Sequence, residues 1–194
     1  MNGSAKHGLL LAALLVGMLL LNACENDLNK IKEISAKQST SAIDSTTNVD
    51  VIYSDSARVK LHMTAPLLLQ HSDVKNPEKT YDEMPRGVKI VFYDTTRKVS
   101  GTIVADSAIQ HTKAKIIEFH KNVVATNAQG DTYKSDELIW DQNNRKIYSN
   151  KQVTFTTIKG DVSVGSPFTS DEKMQKPELK NAHGLFHVTD MPEN

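Results

Sequence analysis

The sequence predicts an all-β fold, antiparallel and built as one stack of repeated hairpins. Three observations point there. The stretch Val88 to Ile109, VKIVFYDTTRKVSGTIVADSAI, returns in near-copies, each an apolar strand, a polar turn and a second strand closing on a small residue. That small residue is Ala65, Ala105, Ser135 and Gly165 in successive units, at spacings of 40, 30 and 30, and three places later stand Leu68, Ala108, Leu138 and Phe168. Repetition at such periods marks a stacked architecture. Second, apolar residues alternate at period two from residue 49 onward, which sets one strand face against a core. Third, turns rich in Asn, Asp, Gly and Lys recur every 8 to 12 residues, the mark of antiparallel structure.

The chain has 194 residues, enough for one domain that buries a core without disulfides or metals. Its 23 basic and 23 acidic residues cancel and form no basic block, which excludes nucleic acid as a partner. The N-terminus differs in kind. Lys6 precedes an apolar run of about 14 residues, Gly8 to Leu21, too short for the ~20 residues of a spanning helix and suited to a signal peptide. The only cysteine, Cys24, follows at once. Leu21-Asn22-Ala23-Cys24 resembles the lipobox of bacterial lipoproteins, in which the cysteine is acylated and becomes the mature N-terminus; Asn22 departs from the usual Ala, Ser or Thr. The competing reading is a plain secretory peptide or short anchor with an incidental cysteine. The expected organisation is a signal peptide at 1–23, a lipidated Cys24 with a flexible tether at 24–48, a β domain at 49–188 and a tail at 189–194. Two acyl chains would hold the body to a bilayer lastingly.

Within the domain, Val49, Val51 and Tyr53 alternate, SDSA turns, and Val59, Leu61, Met63, Ala65, Leu67 and Leu69 follow. Pro66 cannot donate to a ladder and marks a strand end, bulge or edge. Ser72 to Gly87 carries charges and two prolines and reads as one long loop. Beyond it, hairpins continue through Val88–Phe92, Val99–Ala105, Ile117–Phe119, Val123–Ala125, TYKSDELIW, Ile147–Ser149, Val153–Thr157 and Val162–Phe168, with one last strand at Gly184 to Val188. Edge strands are expected at Val49 to Tyr53 and at Asp161 to Phe168 or Gly184 to Val188.

No catalytic constellation emerges. His62, His71, His111, His120, His183 and His187 are scattered over turns and strand ends. His183 and His187 have i, i+4 spacing, but HGLFH offers neither a glutamate nor a helix to make a zinc site. Asp106 and Asp136 recur at equivalent places and read as strand-end punctuation rather than as an acid–base pair. Trp140, the single tryptophan, is expected to pack at a sheet end. No metal or cofactor is expected, and no phosphate loop is present.

The anchor, the tether and hairpins carrying (A/S)-D-x-(A/L) together resemble the LptC family, within the OstA-like β-jellyroll group. IYSDSARVKLHMTAPLLL, PRGVKIVFYDTTRKVSGTIVADSA, NVVATNAQGDTYKSDELIWD and IYSNKQVTFTT carry the resemblance. It implies a twisted, slightly open antiparallel β-jellyroll at 49–188 and a non-catalytic, membrane-tethered periplasmic role in lipopolysaccharide transport. On this view the protein takes lipopolysaccharide acyl chains in an apolar groove. It passes them from the inner-membrane ABC transporter to an LptA-like jellyroll, which it meets by edge-strand pairing. Many members keep an uncleaved transmembrane helix, which a lipid anchor on Cys24 would not replace. The residues expected to face the groove are Leu61, Met63, Ile90, Phe92, Ile103, Ile117, Phe119, Val123, Leu138, Ile147, Val153, Phe155 and Phe168. The competing function is a structural or adhesive β-repeat lipoprotein with a filled core.

Overall fold

A computed structural model describes residues 41–73 and 75–185. The expected signal peptide, Cys24, most of the tether, His187 and the tail lie outside the described residues. The described chain is an antiparallel meander of nine ribbons. The first two are β1 (Ser41–Asp55) and β2 (Arg58–Asp73). The third is β3 (Tyr81–Met84) running into β4 (Val88–Tyr93), the fourth β5 (Val99–Ala105) into β6 (Ser107–His111). The fifth and sixth are β7 (Ile116–Asn127) and β8 (Thr132–Asp141). Then come β9 (Lys146–Ser149) into β10 (Val153–Thr156), β11 (Val162–Gly165) into β12 (Phe168–Asp171), and β13 (Glu178–Leu179) followed by β14 (His183–Leu185).

Every ribbon crosses between two half-sheets. The first half-sheet runs β1-β2-β4-β5-β7-β8-β10-β11-β14 and the second β1-β2-β3-β6-β7-β8-β9-β12-β13. The long strands belong to both. In β2, Leu61–Thr64 pair with β4 and Leu69–His71 with β3; in β7, Gly101–Val104 of β5 meet one half and β6 the other. This is the expected all-β, jellyroll-type architecture.

The repeat seen in the sequence marks the crossing. Residues two apart share a strand face, and the spacing of inward residues at the crossing depends on the ribbon's direction. From the first half-sheet to the second the inward residues are three apart: Ala65 to Leu68, Ala105 to Ala108, Ser135 to Leu138, Gly165 to Phe168. In the return direction they are four apart: Met84 to Val88, Phe119 to Val123, Ser149 to Val153. The half-sheets converge at the bend, and only a small side chain fits inside it; Ala65 and Ala105 are buried there. At Gly165 an added Cβ would stand 2.5 Å from the Lys180 carbonyl oxygen and 2.9 Å from Leu179 Cγ. Left-handed residues help the bend. Asn48 (φ 53) stands between Thr47 and Val49, whose partners Leu67 and Ala65 flank Pro66. Lys121 and Asn122 (φ 62 and 47) form a bulge in β7, and Asn122 Nδ2 donates to Asp106 Oδ2 at 2.6 Å.

The hairpin tips repeat as well. In Asp94–Lys98, Asn127–Asp131 and Thr157–Asp161 the first residue's side-chain oxygen accepts the backbone N–H four places on, at 2.9, 2.9 and 3.1 Å. Asx- and Ser/Thr-type turns of this sort replace backbone partners locally. At Asp94 the hydrogen bond from the Thr96 side chain, then that from the Lys98 N–H, hold the carboxyl below its ordinary value.

Four expectations need correction. Residues 41–48, assigned to the tether, continue β1; their polar composition hid a strand that pairs on one side only. Ser72 to Gly87 is not one structureless loop. It completes β2, makes a 3-10 turn at Pro77–Lys79 and contains β3, where Tyr81 stacks on His71 and Met84 is fully buried. Asp161 to Phe168 is no edge, since β11 lies between β10 and β14. Asp136 stands mid-strand at the bend of β8, not at a strand end.

Gly165→Ala should destabilise the domain by ~1–3 kcal/mol, because backbone atoms occupy the space the methyl needs. Urea denaturation should show a lower midpoint at unchanged slope. An unaltered midpoint would refute the packing described at this bend.

Candidate functional site

The inner faces of the half-sheets meet along an apolar seam that runs from ribbon to ribbon. All thirteen residues expected to face a groove lie on it. Met63, Ile90, Ile103, Ile117, Phe119, Val123, Leu138, Ile147, Val153 and Phe168 are buried in one cluster, and Leu61, Phe92 and Phe155 pack against it. Full burial of one such side chain is worth ~1.5–3 kcal/mol. Sequence reading missed Tyr133, Trp140 and Met174. Tyr133 is two places before Ser135 and so was accessible to the alternation rule; Met174 stands in a turn with no periodic signal.

The seam is not uniform. Val51 and Tyr53 pair with Met63 and Leu61 and share their inward face, yet they are 41% and 56% exposed. Phe92 is partly buried and Ile90 buried, and from Ile103 to Phe168 the inward apolar residues are closed off except for the partly buried Phe155. The seam therefore opens beside β1 and is filled toward the eighth ribbon. Asp82 and Gln110, two places from the buried Met84 and Ala108, give the inner face of the second half-sheet a more polar margin.

At the filled end Tyr133 stacks on Phe155 (4.8 Å between ring centroids) and lies 5.3 Å from Phe168. The turn after β12 folds inward and buries Met174 completely. The Met174 carbonyl accepts from the Tyr133 hydroxyl at 2.9 Å and from Asn127 Nδ2 at 3.1 Å. Burial, then the nearby Asp131 carboxylate, push the Tyr133 hydroxyl up to about 12, so it remains a donor across the physiological range. Trp140, the penultimate residue of β8, packs at the strand end as expected, buried and edge-on to Phe92 with ring centroids 5.0 Å apart. Its Nε1–H is buried and finds no acceptor, an arrangement that costs ~1–3 kcal/mol.

The histidines are not scattered as expected. His71, His111 and His120 share the outward face of the second half-sheet, beside Glu83 (2.9 Å) and Glu118 (3.3 and 3.4 Å). His62 meets Asp50 at 2.7 Å on the other half-sheet, and His183 is exposed in β14. Among the described residues no group of three or more His, Cys, Asp or Glu is placed to hold a metal.

The two ends of the meander are open edges. Among the described residues β1 pairs only with β2 and exposes Ile43, Val51, Ile52 and Tyr53, and β14 pairs only with β11 and exposes Leu185. Unpaired N–H and C=O groups along such strands can accept another strand.

A family model described as "Lipopolysaccharide-assembly, LptC-related" matches residues 9–184. The chain belongs to the LptC family. Membership gives it a part in lipopolysaccharide transport, in the periplasm of the Gram-negative envelope, within a transport-associated, non-catalytic family. No curated protein matches the chain.

The raised Tyr133 value fixes the sign of a pH effect. A phenol whose folded value (about 12) exceeds its ordinary value of 10.0 contributes stability that is complete below pH 10.0 and lost as pH rises through about 12. Tyr133→Phe should cost ~1 kcal/mol at neutral pH through the lost hydrogen bond. Its stability should then fall less steeply than that of the parent between pH 10 and 12. Denaturation at both pH values checks this, and equal slopes would contradict it.

Proposed function

We propose that this LptC-family protein binds the acyl chains of lipopolysaccharide along the seam between its half-sheets. It relays them from the inner-membrane ABC transporter to an LptA-like periplasmic jellyroll, while a lipidated Cys24 ties it to the membrane. The observation that carries the reading is the apolar inner face, continuous from ribbon to ribbon and opening beside β1. A chain of about a dozen methylenes gains on the order of 10 kcal/mol on leaving water, at ~0.8 kcal/mol per CH₂. Such a ligand needs continuous apolar surface more than exact polar contacts. The family role supports the cargo, and the two open edges support docking of neighbouring jellyrolls by strand addition.

One observation favours the competing structural role. Between Ile103 and Phe168 most inward apolar residues are fully buried, as in a domain that carries nothing. The two readings separate in cells. A photoreactive amino acid at Phe92 should crosslink lipopolysaccharide, while one at the outward-facing Thr102 should not; lipid at neither position would sink the relay reading. For the anchor, Cys24→Ala should abolish labelling by a fatty-acid analogue, and persistent labelling would show that the lipobox assignment is wrong.

A further inference from the structure

The turn between β12 and β13 enters the seam instead of capping a hairpin from outside. Asp171 organises it: its Oδ1 accepts the N–H groups of Gln175 (2.7 Å) and Lys176 (3.1 Å). The Glu172 N–H donates to the Arg145 carbonyl at 3.0 Å, and the Arg145 guanidinium meets the Glu172 carboxylate at 3.0 Å. These bonds secure the strap at the tip of the second half-sheet. Its middle reaches the first half-sheet. Met174 there has left-handed backbone (φ 53), unusual for a side chain of this kind. Its Cε lies 3.4 Å from where a Cβ on Gly101 would be, and its carbonyl is gripped by Tyr133 and Asn127. Gly101, Asn127 and Tyr133 lie on the fourth, fifth and sixth ribbons. Before them Val51 and Tyr53 leave their inward side chains exposed; after them Val153 and Phe168 are buried and Phe155 is partly buried.

We propose that residues 172–176 form a strap, with Met174 as its plug, that sets how far an acyl chain can run along the seam. The inference rests on the lipid-carrying reading and adds a polarity to it. A chain enters from the β1 side and stops near Phe92 and Ile103. It advances past Tyr133 only when the two hydrogen bonds to the Met174 carbonyl open. The grip is polar and local, three atoms on three residues, whereas the surrounding packing is apolar and extended, so the strap can release without unfolding the half-sheets. A flexible thioether suits a plug that must fill an irregular space and leave it again. Tyr133 and Asn127 are thereby positioning residues for the plug, and Gly101 supplies the room for it.

The test compares photocrosslinking from positions 92 and 155 in the full-length protein in its native membrane. With the strap intact, lipopolysaccharide should crosslink several-fold more from position 92 than from position 155. The double variant Tyr133→Phe, Asn127→Ala should raise the ratio of yields, 155 to 92, by several-fold. Arg145→Ala, an exposed change at the base of the strap that leaves the interior alone, should move the ratio in the same direction by less. Thermal unfolding of each variant confirms that it is folded. Equal yields at both positions in the parent, or a ratio unmoved by both variants, would overturn the strap. Absence of lipid at both positions would overturn the lipid-carrying reading, and the strap with it.

Discussion

The bend in each ribbon is the constraint on which the rest depends. Residues two apart share a strand face, and three-residue steps in one direction lie beside four-residue steps in the other at each crossing. These paired steps bring the inward rows of both half-sheets together. They keep Ile90, Ile103, Phe119, Leu138 and Phe168 in one cluster, although these residues sit on opposite half-sheets. The small residue at the three-step crossings follows from the same geometry, because the half-sheets approach most closely there. At Gly165 even a methyl group would press on the Lys180 carbonyl.

A folded meander also explains why the interior is graded. Each inner ribbon is covered by a neighbour on both sides, but among the described residues the first has only β2. Its inward residues Val51 and Tyr53 are therefore left partly in water, while the middle ribbons are sealed. The same lack of a neighbour leaves a 15-residue row of backbone groups available for pairing. Exposed interior and exposed edge thus come from a single cause. At the other end the turn that precedes β13 has gone inside and buries Met174.

Much of this was legible in the sequence, and the failures have physical reasons. Period-two alternation identified the inward set, because a half-buried strand has to alternate, and the repeat located the bends before their meaning was clear. β3 was hidden because Asp82 and Glu83 occupy a strand flanked by prolines, and only pairing with β2 and β6 makes it a strand. Residues 41–47 were hidden because an edge strand needs little apolar content when one ladder supports it. Strand order misled the reading of Asp161 to Phe168 as an edge, since local pattern does not say how many neighbours a strand has. Met174 is the clearest limit. Its burial depends on a turn folding inward, and nothing in QKPE or DEK announces that. The gathering of His71, His111 and His120 on one face likewise required the register between β2, β3, β6 and β7.

The number of ribbons has a consequence of its own. The described ribbons number nine, an odd count, so β1 and the β13–β14 ribbon both run from the second half-sheet toward the first. Parity therefore governs any continuation of the sheet. If a domain of the same plan joined its first edge to this molecule's last, with the two interiors in line, the strands at the seam would have to run parallel. Such a junction carries the slanted, evenly spaced hydrogen bonds of parallel pairing within a wholly antiparallel assembly. Antiparallel joining would require like edge to meet like edge, which reverses the direction of one interior relative to the other. A row of such domains keeps one direction throughout only by accepting the weaker pairing at each joint.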